Sequence, residues 1–131
     1  MVAERRSRRV LAVDDDPSIR RMLGRALSSV YEIVVLCADG EVALEEVRRG
    51  NPDLILLDLK MPIVDGWQFL ERLEAEGVDI PVIVMSAETR RPWPDSPLVR
   101  AFYSKTDGLG ALLATCERVL SDGAPPSPRD R

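Results

Sequence analysis

Four short runs of apolar residues, at positions 10–13, 33–36, 54–57 and 82–85, form the clearest pattern in the chain. None of the four alternates polar with apolar side chains. Uninterrupted apolar runs of this length are typical of strands that are covered on both faces, as in a parallel sheet. A weaker fifth candidate at 99–103 contains Arg100, which suits an edge strand better than a central one. The pattern therefore predicts five strands.

Amphipathic helices are predicted between these runs. Pro17 suits the first helical position, and apolar side chains follow it at helical spacing. A second helix is capped by Asp39 and ended by Gly50, and two more are predicted at about 65–77 and 109–120. Strands that alternate with helices imply right-handed crossovers and a three-layer α/β sandwich.

The segment between the fourth and fifth predicted strands breaks this alternation. It has only 11 residues, 87–97, and three of them are prolines. A proline inside a helix costs about 3 kcal/mol, because it removes a hydrogen bond and clashes with the preceding turn. We therefore predict that the fourth helix of the alternating pattern is short or missing, with at most one turn.

Length and composition limit the possible functions. The 131 residues fit one domain, and 45% hydrophobic with 31% charged residues is typical of a globular chain. A net charge of −4 argues against direct binding of nucleic acid. The chain contains no histidine, which excludes nucleophiles, metal sites and pH switches that depend on a histidine side chain. Cys37 and Cys116 form no C-x-x-C motif and no apolar stretch could cross a membrane, so we expect a cytoplasmic protein that binds no membrane.

The two ends of the chain differ in composition from its middle. Residues 1–8 are predicted to be a basic N-terminal arm, and residues 9–120 carry the strand and helix pattern of one folded domain. Residues 121–131 have the composition of a linker and no apolar face, which predicts a disordered tail or a linker to another segment.

Carboxylates follow the first and third predicted strands. Asp14, Asp15 and Asp16 come directly after the first apolar run, and Asp58 comes directly after the third. In an open parallel sheet, ligands bind beyond the carboxyl ends of the strands where the strand order reverses. With the order 2-1-3-4-5, these carboxylates would converge in one crevice, although Asp16 is expected only to cap the first helix. An all-oxygen cluster of this kind suits a hard cation such as Mg²⁺.

Two more polar side chains are predicted at the same edge of the sheet. Ser86 follows the fourth strand and Lys105 follows the fifth. A hydroxyl, an ammonium and a metal ion around one carboxylate are the groups that a transferred phosphoryl group needs, since its transition state carries charge on three oxygens. The carboxylate can itself be the nucleophile, which would give an aspartyl phosphate.

Four segments together resemble the receiver domain of bacterial two-component response regulators: VLAVDDDPSIR from residue 10, LLDLKMPIVDG from residue 56, MSA from residue 85 and YSK from residue 103. The resemblance covers roughly residues 9–120. It implies a flavodoxin-like fold with a five-stranded parallel sheet of order 2-1-3-4-5, and it implies bound Mg²⁺. The roles that it implies are Asp58 as phosphoacceptor, Lys105 as phosphate-binding lysine, Ser86 as switch hydroxyl, Asp14 and Asp15 as the acidic metal pocket, Asp58 as a further metal ligand and Lys60 as a ligand through its main-chain carbonyl.

The chain departs from the family pattern in three places. Thr106 follows the lysine where receivers usually have proline. The aromatic switch position holds Phe102, where receivers more often have tyrosine. Tyr103 is the next residue, so either Phe102 or Tyr103 is a candidate for the switch role. The proline-rich segment is the third departure, and Trp93 within it is a candidate anchor for a partner. Glu88 flanks the predicted site, either to modulate water access or as part of a surface ion pair.

Three functions fit these residues. The first is a signalling switch that takes a phosphoryl group from a sensor histidine kinase or a histidine phosphotransfer protein, and that catalyses only its own phosphotransfer and dephosphorylation. The second is a degenerate receiver that binds a protein partner independently of phosphorylation. Thr106 and the altered proline-rich segment favour it, and the complete set of site residues opposes it. The third is a Mg²⁺-dependent phosphohydrolase, which is disfavoured because Lys60 stands where such enzymes usually carry a second carboxylate. The downstream target is not indicated by the sequence.

Overall fold

The fold is known from a computed structural model, which describes residues 6–61, 63–87 and 94–122. Five strands are described: β1 (Arg6–Val13), β2 (Tyr31–Cys37), β3 (Leu54–Asp58), β4 (Val82–Ser86) and β5 (Val99–Ser104). Four helices are described: α1 (Pro17–Ser28), α2 (Gly40–Arg49), α3 (Gly66–Ala75) and α4 (Leu109–Ser121).

All five strands lie in one parallel sheet of order β2-β1-β3-β4-β5. The three central strands coincide with the uninterrupted apolar runs, and β3 and β4 are buried along their whole length. The order reverses between β1 and β3, which start the two halves of the sheet. The predicted fold class, a flavodoxin-like five-stranded α/β sandwich, is therefore confirmed.

The helices cover the two faces of the sheet in pairs. Leucines of α1 pack with the apolar side of α4 on one face, and α2 and α3 bury theirs on the other. Successive side chains of β1 and β3 enter opposite cores, since Val10 and Ala12 contact the α1 side while Leu11 and Val13 contact the α2 side. The two cores hold the central strands in place, so the positions at which those strands end are well defined.

Aspartates begin three of the helices. The Asp16 side chain accepts a hydrogen bond from the Ser18 N–H at 2.9 Å, and Asp39 accepts one from Val42 at 2.9 Å. Asp65 forms a reciprocal capping box with Gln68 at the start of α3. The predicted capping roles of Asp16 and Asp39 are confirmed.

The fourth helix along the chain, α4, follows β5 and not β4. In the described residues between β4 and β5, which are 87 and 94–98, there is no helix. Residues 88–93 lie outside the described residues, so the expectations for Glu88 and Trp93 stay predictions.

The strand β1 begins at Arg6, inside the range assigned to a basic arm from the sequence. The remaining division into arm, domain and tail stays a prediction, because residues 1–5 and 123–131 are outside the described part. Within that part, no helix has the length and the apolar character that crossing a bilayer requires.

Candidate functional site

Strand register brings the predicted site residues to one edge of the sheet. Val13 pairs with Leu57, so the next residues, Asp14 and Asp58, emerge side by side from β1 and β3. At the other end of the site, the Lys105 N–H donates a hydrogen bond to the Ser86 carbonyl oxygen at 2.9 Å. The same edge therefore carries the carboxylates, the hydroxyl and the ammonium.

Three carboxylates form the acidic part of the site. One oxygen from each of Asp14, Asp15 and Asp58 can be chosen so that all three lie within 4.8 Å of one another. Asp14 is fully buried and Asp58 is 5% exposed, whereas Asp15 is exposed to solvent. Two charges are thus held in the protein interior, and the third stands at the mouth.

Lys105 lies between the two buried carboxylates. Its Nζ is 2.9 Å from Asp14 Oδ2 and 3.3 Å from Asp58 Oδ1. Burial opposes the charged ammonium, but the hydrogen bond that Lys105 donates to Asp14 and the charges of both carboxylates outweigh it and raise the pKa of Lys105. The ammonium is therefore a fixed positive charge beside Asp58.

The single positive charge of Lys105 does not neutralise the carboxylates of the site. Burial of Asp58 and the neighbouring charge of Asp14 raise the pKa of the Asp58 carboxyl from 3.8 to about 6, against the opposing effects of Lys105 and the Lys60 backbone. The buried cluster has more negative than positive charge, and its donors are all oxygens. These two properties fit a hard divalent cation such as Mg²⁺.

Asp14 is held through each of its polar atoms. Its N–H donates to the Cys37 carbonyl oxygen at 3.0 Å, and its carbonyl oxygen accepts from Arg20 at 2.8 Å. Oδ1 accepts from the Asp16 N–H at 2.9 Å, while Oδ2 contacts Lys105. Arg20 was not singled out from the sequence, since an arginine in an amphipathic helix ordinarily points to solvent.

The backbone at Asp58 and Leu59 is pressed against the start of α3. The Gly66 N–H donates to the Leu59 carbonyl oxygen at 2.9 Å. A Cβ at Gly66 would lie 2.7 Å from the Asp58 carbonyl oxygen and 2.7 Å from Leu59 Cα. Only glycine permits this approach, so Gly66 positions the backbone that carries Asp58.

The site opens into a cavity of about 350 Å³, which is lined by Asp14, Asp15, Asp16, Asp58, Lys60, Ser86, Ala87 and Lys105. Ser86 is 8% exposed in its wall. A second cavity of about 440 Å³ shares Asp15 and Lys60 with the first and includes Trp67. Trp67 therefore stands close enough to Asp15 to report on the acidic site.

The two aromatic residues of β5 differ in environment. Tyr103 is 7% exposed and its hydroxyl donates to the Gly108 carbonyl oxygen at 2.6 Å, whereas Phe102 is 44% exposed. Next to Lys105, the hydroxyls of Ser104 and Thr106 are 2.8 Å apart, so Thr106 forms a polar contact that a proline would lack. The structure thus separates the two candidate switch residues into a buried one and an exposed one.

Comparison with known proteins identifies relatives of this chain. The family described as "Response regulator receiver domain" matches residues 10–94. The chain is 44% identical over 79 residues to "Response regulator MprA" of Mycobacterium leprae, which is 60% of this chain and 35% of that protein. It is also 40% identical over 85 residues to "Protein-glutamate methylesterase/protein-glutamine glutaminase" of Trichodesmium erythraeum. That match covers 63% of this chain and 24% of that protein. The chain thus spans about a third or less of these relatives.

A solved structure with the same architecture contains a metal. The response regulator protein TrrA from Thermotoga maritima, in complex with Mg(2+)-BeF, superimposes with a TM-score of 0.76 at 26% identity. The match covers 86% of this chain and 98% of that one.

Proposed function

The chain belongs to the response regulator receiver domain family, and on that premise we propose that it is a phosphorylation-dependent switch in which Asp58 accepts the phosphoryl group. The observation that carries the proposal is the position of Lys105, whose Nζ lies 3.3 Å from Asp58 Oδ1 inside a cavity that Ser86 also lines. An ammonium and a hydroxyl beside a buried carboxylate provide positive charge and a hydrogen-bond donor where a phosphoryl group would be attached.

Receiver domains are phosphorylated by histidine kinases, and we propose such a kinase or a histidine phosphotransfer protein as the donor. An Asp58 carboxylate oxygen attacks the phosphorus, the P–N bond to the donor imidazole breaks, and that nitrogen keeps the electron pair. Lys105 then pairs with a phosphoryl oxygen in place of its contact with Asp58. The protein would act on no separate substrate, so it would catalyse only its own phosphorylation and dephosphorylation.

Mg²⁺ is the proposed cofactor, held directly by Asp15, Asp58 and the Lys60 main-chain carbonyl. When bound, the ion would offset the charge of the phosphoryl oxygens. Asp14 is proposed to act through water, with its Oδ1 held by the Asp16 N–H and its Oδ2 in contact with Lys105. The raised pKa of Asp58 supports this proposal, since burial and the charge of Asp14 both disfavour the Asp58 carboxylate and a cation in the pocket would stabilise it.

The proposed switch consists of Ser86, Phe102 and Tyr103. Ser86 would donate its hydroxyl hydrogen to the phosphoryl group and draw in the end of β4. The Lys105 main-chain N–H donates a hydrogen bond to the Ser86 carbonyl oxygen. A movement of Ser86 would therefore be passed to the end of β5. Phe102 is exposed, whereas Tyr103 is buried and would have to give up its hydrogen bond to the Gly108 carbonyl oxygen in order to rotate.

Phosphorylation is tested with acetyl phosphate and Mg²⁺, followed by the intact mass of the protein. We expect one phosphoryl group on the wild type, none on Asp58→Asn, and one on the control Asp122→Asn, which removes an exposed carboxylate at the end of α4. Uptake by Asp58→Asn at an undiminished rate would refute the assignment. A wild type that takes up no phosphoryl group would instead favour the degenerate receiver.

Metal binding is tested with the metal-free Trp93→Phe protein, in which Trp67 is the remaining tryptophan, by titration with Mg²⁺ while Trp67 fluorescence is recorded. Asp15→Asn is expected to weaken binding, because it removes a proposed direct ligand. Asp95→Asn, an exposed carboxylate outside the cluster, is the matched control. Equal Mg²⁺ affinities of wild type and Asp15→Asn would exclude Asp15 as a ligand.

A further inference from the structure

Arg20 contacts the acidic site through its backbone. The side chain starts from α1 and turns back towards β1, where Nη1 donates to the main-chain carbonyl oxygen of Asp14 at 2.8 Å, six residues earlier in the chain. That carbonyl belongs to the peptide that joins Asp14 to Asp15. The hydrogen bond therefore acts on the backbone between two of the three clustered carboxylates.

We propose that Arg20 is a positioning residue for the metal pocket, which fixes the Asp14–Asp15 peptide and so keeps the Asp15 carboxylate within reach of Asp58. The inference rests on the proposed function, because it concerns the same metal site. Arg20 bonds a carbonyl oxygen and not a carboxylate oxygen, so it orients the acidic loop without occupying a prospective ligand.

Asp15 depends on its backbone for its position. Asp14 and Asp58 are buried and both contact Lys105, whereas the Asp15 side chain is exposed. The backbone before it is anchored twice, by the Asp14 N–H on the Cys37 carbonyl oxygen and by Arg20 on the Asp14 carbonyl oxygen. Loss of the second anchor frees the peptide plane to rotate, and that rotation moves Asp15 before it moves the two buried carboxylates.

A positioning role and a purely electrostatic role of Arg20 predict opposite changes in the affinity for a divalent cation when Arg20 is removed. If Arg20 acted only as a positive charge near three carboxylates, its removal would strengthen the binding of a divalent cation, because a repulsive charge disappears. If Arg20 holds the ligand geometry, its removal weakens binding. Partners that orient metal ligands typically change metal affinity by about 10–100-fold when they are lost.

The first experiment is a Mg²⁺ titration of the whole chain in a Trp93→Phe background, where Trp67 is the remaining tryptophan and its fluorescence is the signal. Arg20→Met is expected to raise the dissociation constant about tenfold. Arg20→Lys, which keeps the charge but not the planar donor, should fall between Arg20→Met and wild type. The control Arg21→Met removes an exposed arginine of the same helix and should leave the affinity unchanged. An unchanged or stronger affinity in Arg20→Met would overturn the proposal, and if that variant fails to fold, a wild-type affinity in Arg20→Lys overturns it.

The second experiment needs no metal. The Asp16 N–H bonds Asp14 Oδ1 at 2.9 Å, so its hydrogen exchange in metal-free protein reports on the order of the loop. We expect exchange at least about tenfold faster in Arg20→Met, or severalfold faster in Arg20→Lys, than in Arg21→Met. Equal exchange refutes the positioning role, whether or not Mg²⁺ binds. A wild type that binds no Mg²⁺ but shows faster exchange in the Arg20 variants would refute the proposed cofactor and keep the role of Arg20 in the loop.

Discussion

Replacing Gly66 with alanine tests whether the close approach of α3 to the backbone of Asp58 and Leu59 is required. A Cβ at this position would lie 2.7 Å from both the Asp58 carbonyl oxygen and Leu59 Cα. Both atoms belong to the backbone, which cannot turn away as the end of a flexible side chain can. The helix or the loop must therefore shift.

The expected magnitude follows from two opposing effects. Alanine in place of glycine favours a helix by at most about 1 kcal/mol. Overpacking a tight contact costs about 1–3 kcal/mol, and contact with backbone on two sides of the new Cβ places Gly66→Ala at the upper end. The net result is a loss of about 2 kcal/mol in the free energy of unfolding, which lowers the Tm by roughly 6–8 °C for a chain of this length.

The matched control is Gly110→Ala, near the start of α4. Among the described residues, and apart from its chain neighbours and the backbone of its own helix, no atom lies within 4 Å of a Cβ built there, so only the helix-favouring effect remains. Equilibrium unfolding in urea, followed by circular dichroism, should show Gly110→Ala as stable as the wild type or up to about 1 kcal/mol more stable. A Gly66→Ala protein that is as stable as Gly110→Ala would refute the reasoning.

Three further predictions concern single features of the described structure. Ile63 is a β-branched residue with φ of 70° and 74% exposure, so Ile63→Asn should relieve backbone strain and raise the free energy of unfolding by about 1 kcal/mol; a loss of stability would contradict this. Burial raises the pKa of Cys37 and of Cys116 to about 12, so both thiols should resist a thiol reagent in the native protein at pH 8 and react after unfolding; rapid native modification would show that they are accessible. The pKa of Asp58 is raised in the folded state, so the native protein holds a proton that the unfolded chain releases. The protonated Asp58 carboxyl therefore contributes stability that is fully present below about pH 4 and is lost as the pH rises through about 6. Urea unfolding in metal-free buffer should show this fall in the free energy of unfolding in wild type but not in Asp58→Asn.

Local patterns in the sequence determined the architecture. An uninterrupted apolar run indicates a doubly covered strand without knowledge of its neighbours, and an aspartate before an amphipathic segment indicates a helix start. The same patterns placed Asp14, Asp15 and Asp58 at strand ends, because Asp14 and Asp58 each directly follow an apolar run and Asp15 is the next residue after Asp14. Parallel strands then bring these ends together, so the composition of the acidic cluster could be predicted without coordinates.

Other properties of the site were decided only by the tertiary structure. Tyr103 and Phe102 are adjacent aromatic residues, and only the packing of α4 decides that the first is buried and the second exposed. Arg20 has the sequence context of a solvent-facing helix residue, and its bond to the Asp14 carbonyl depends on how α1 returns along β1. The raised pKa of Asp58 likewise results from burial and from the charge of a residue that lies 44 positions away. Periodicity describes a residue relative to its own helix or strand, whereas burial, close approach and charge depend on segments that are distant in the chain.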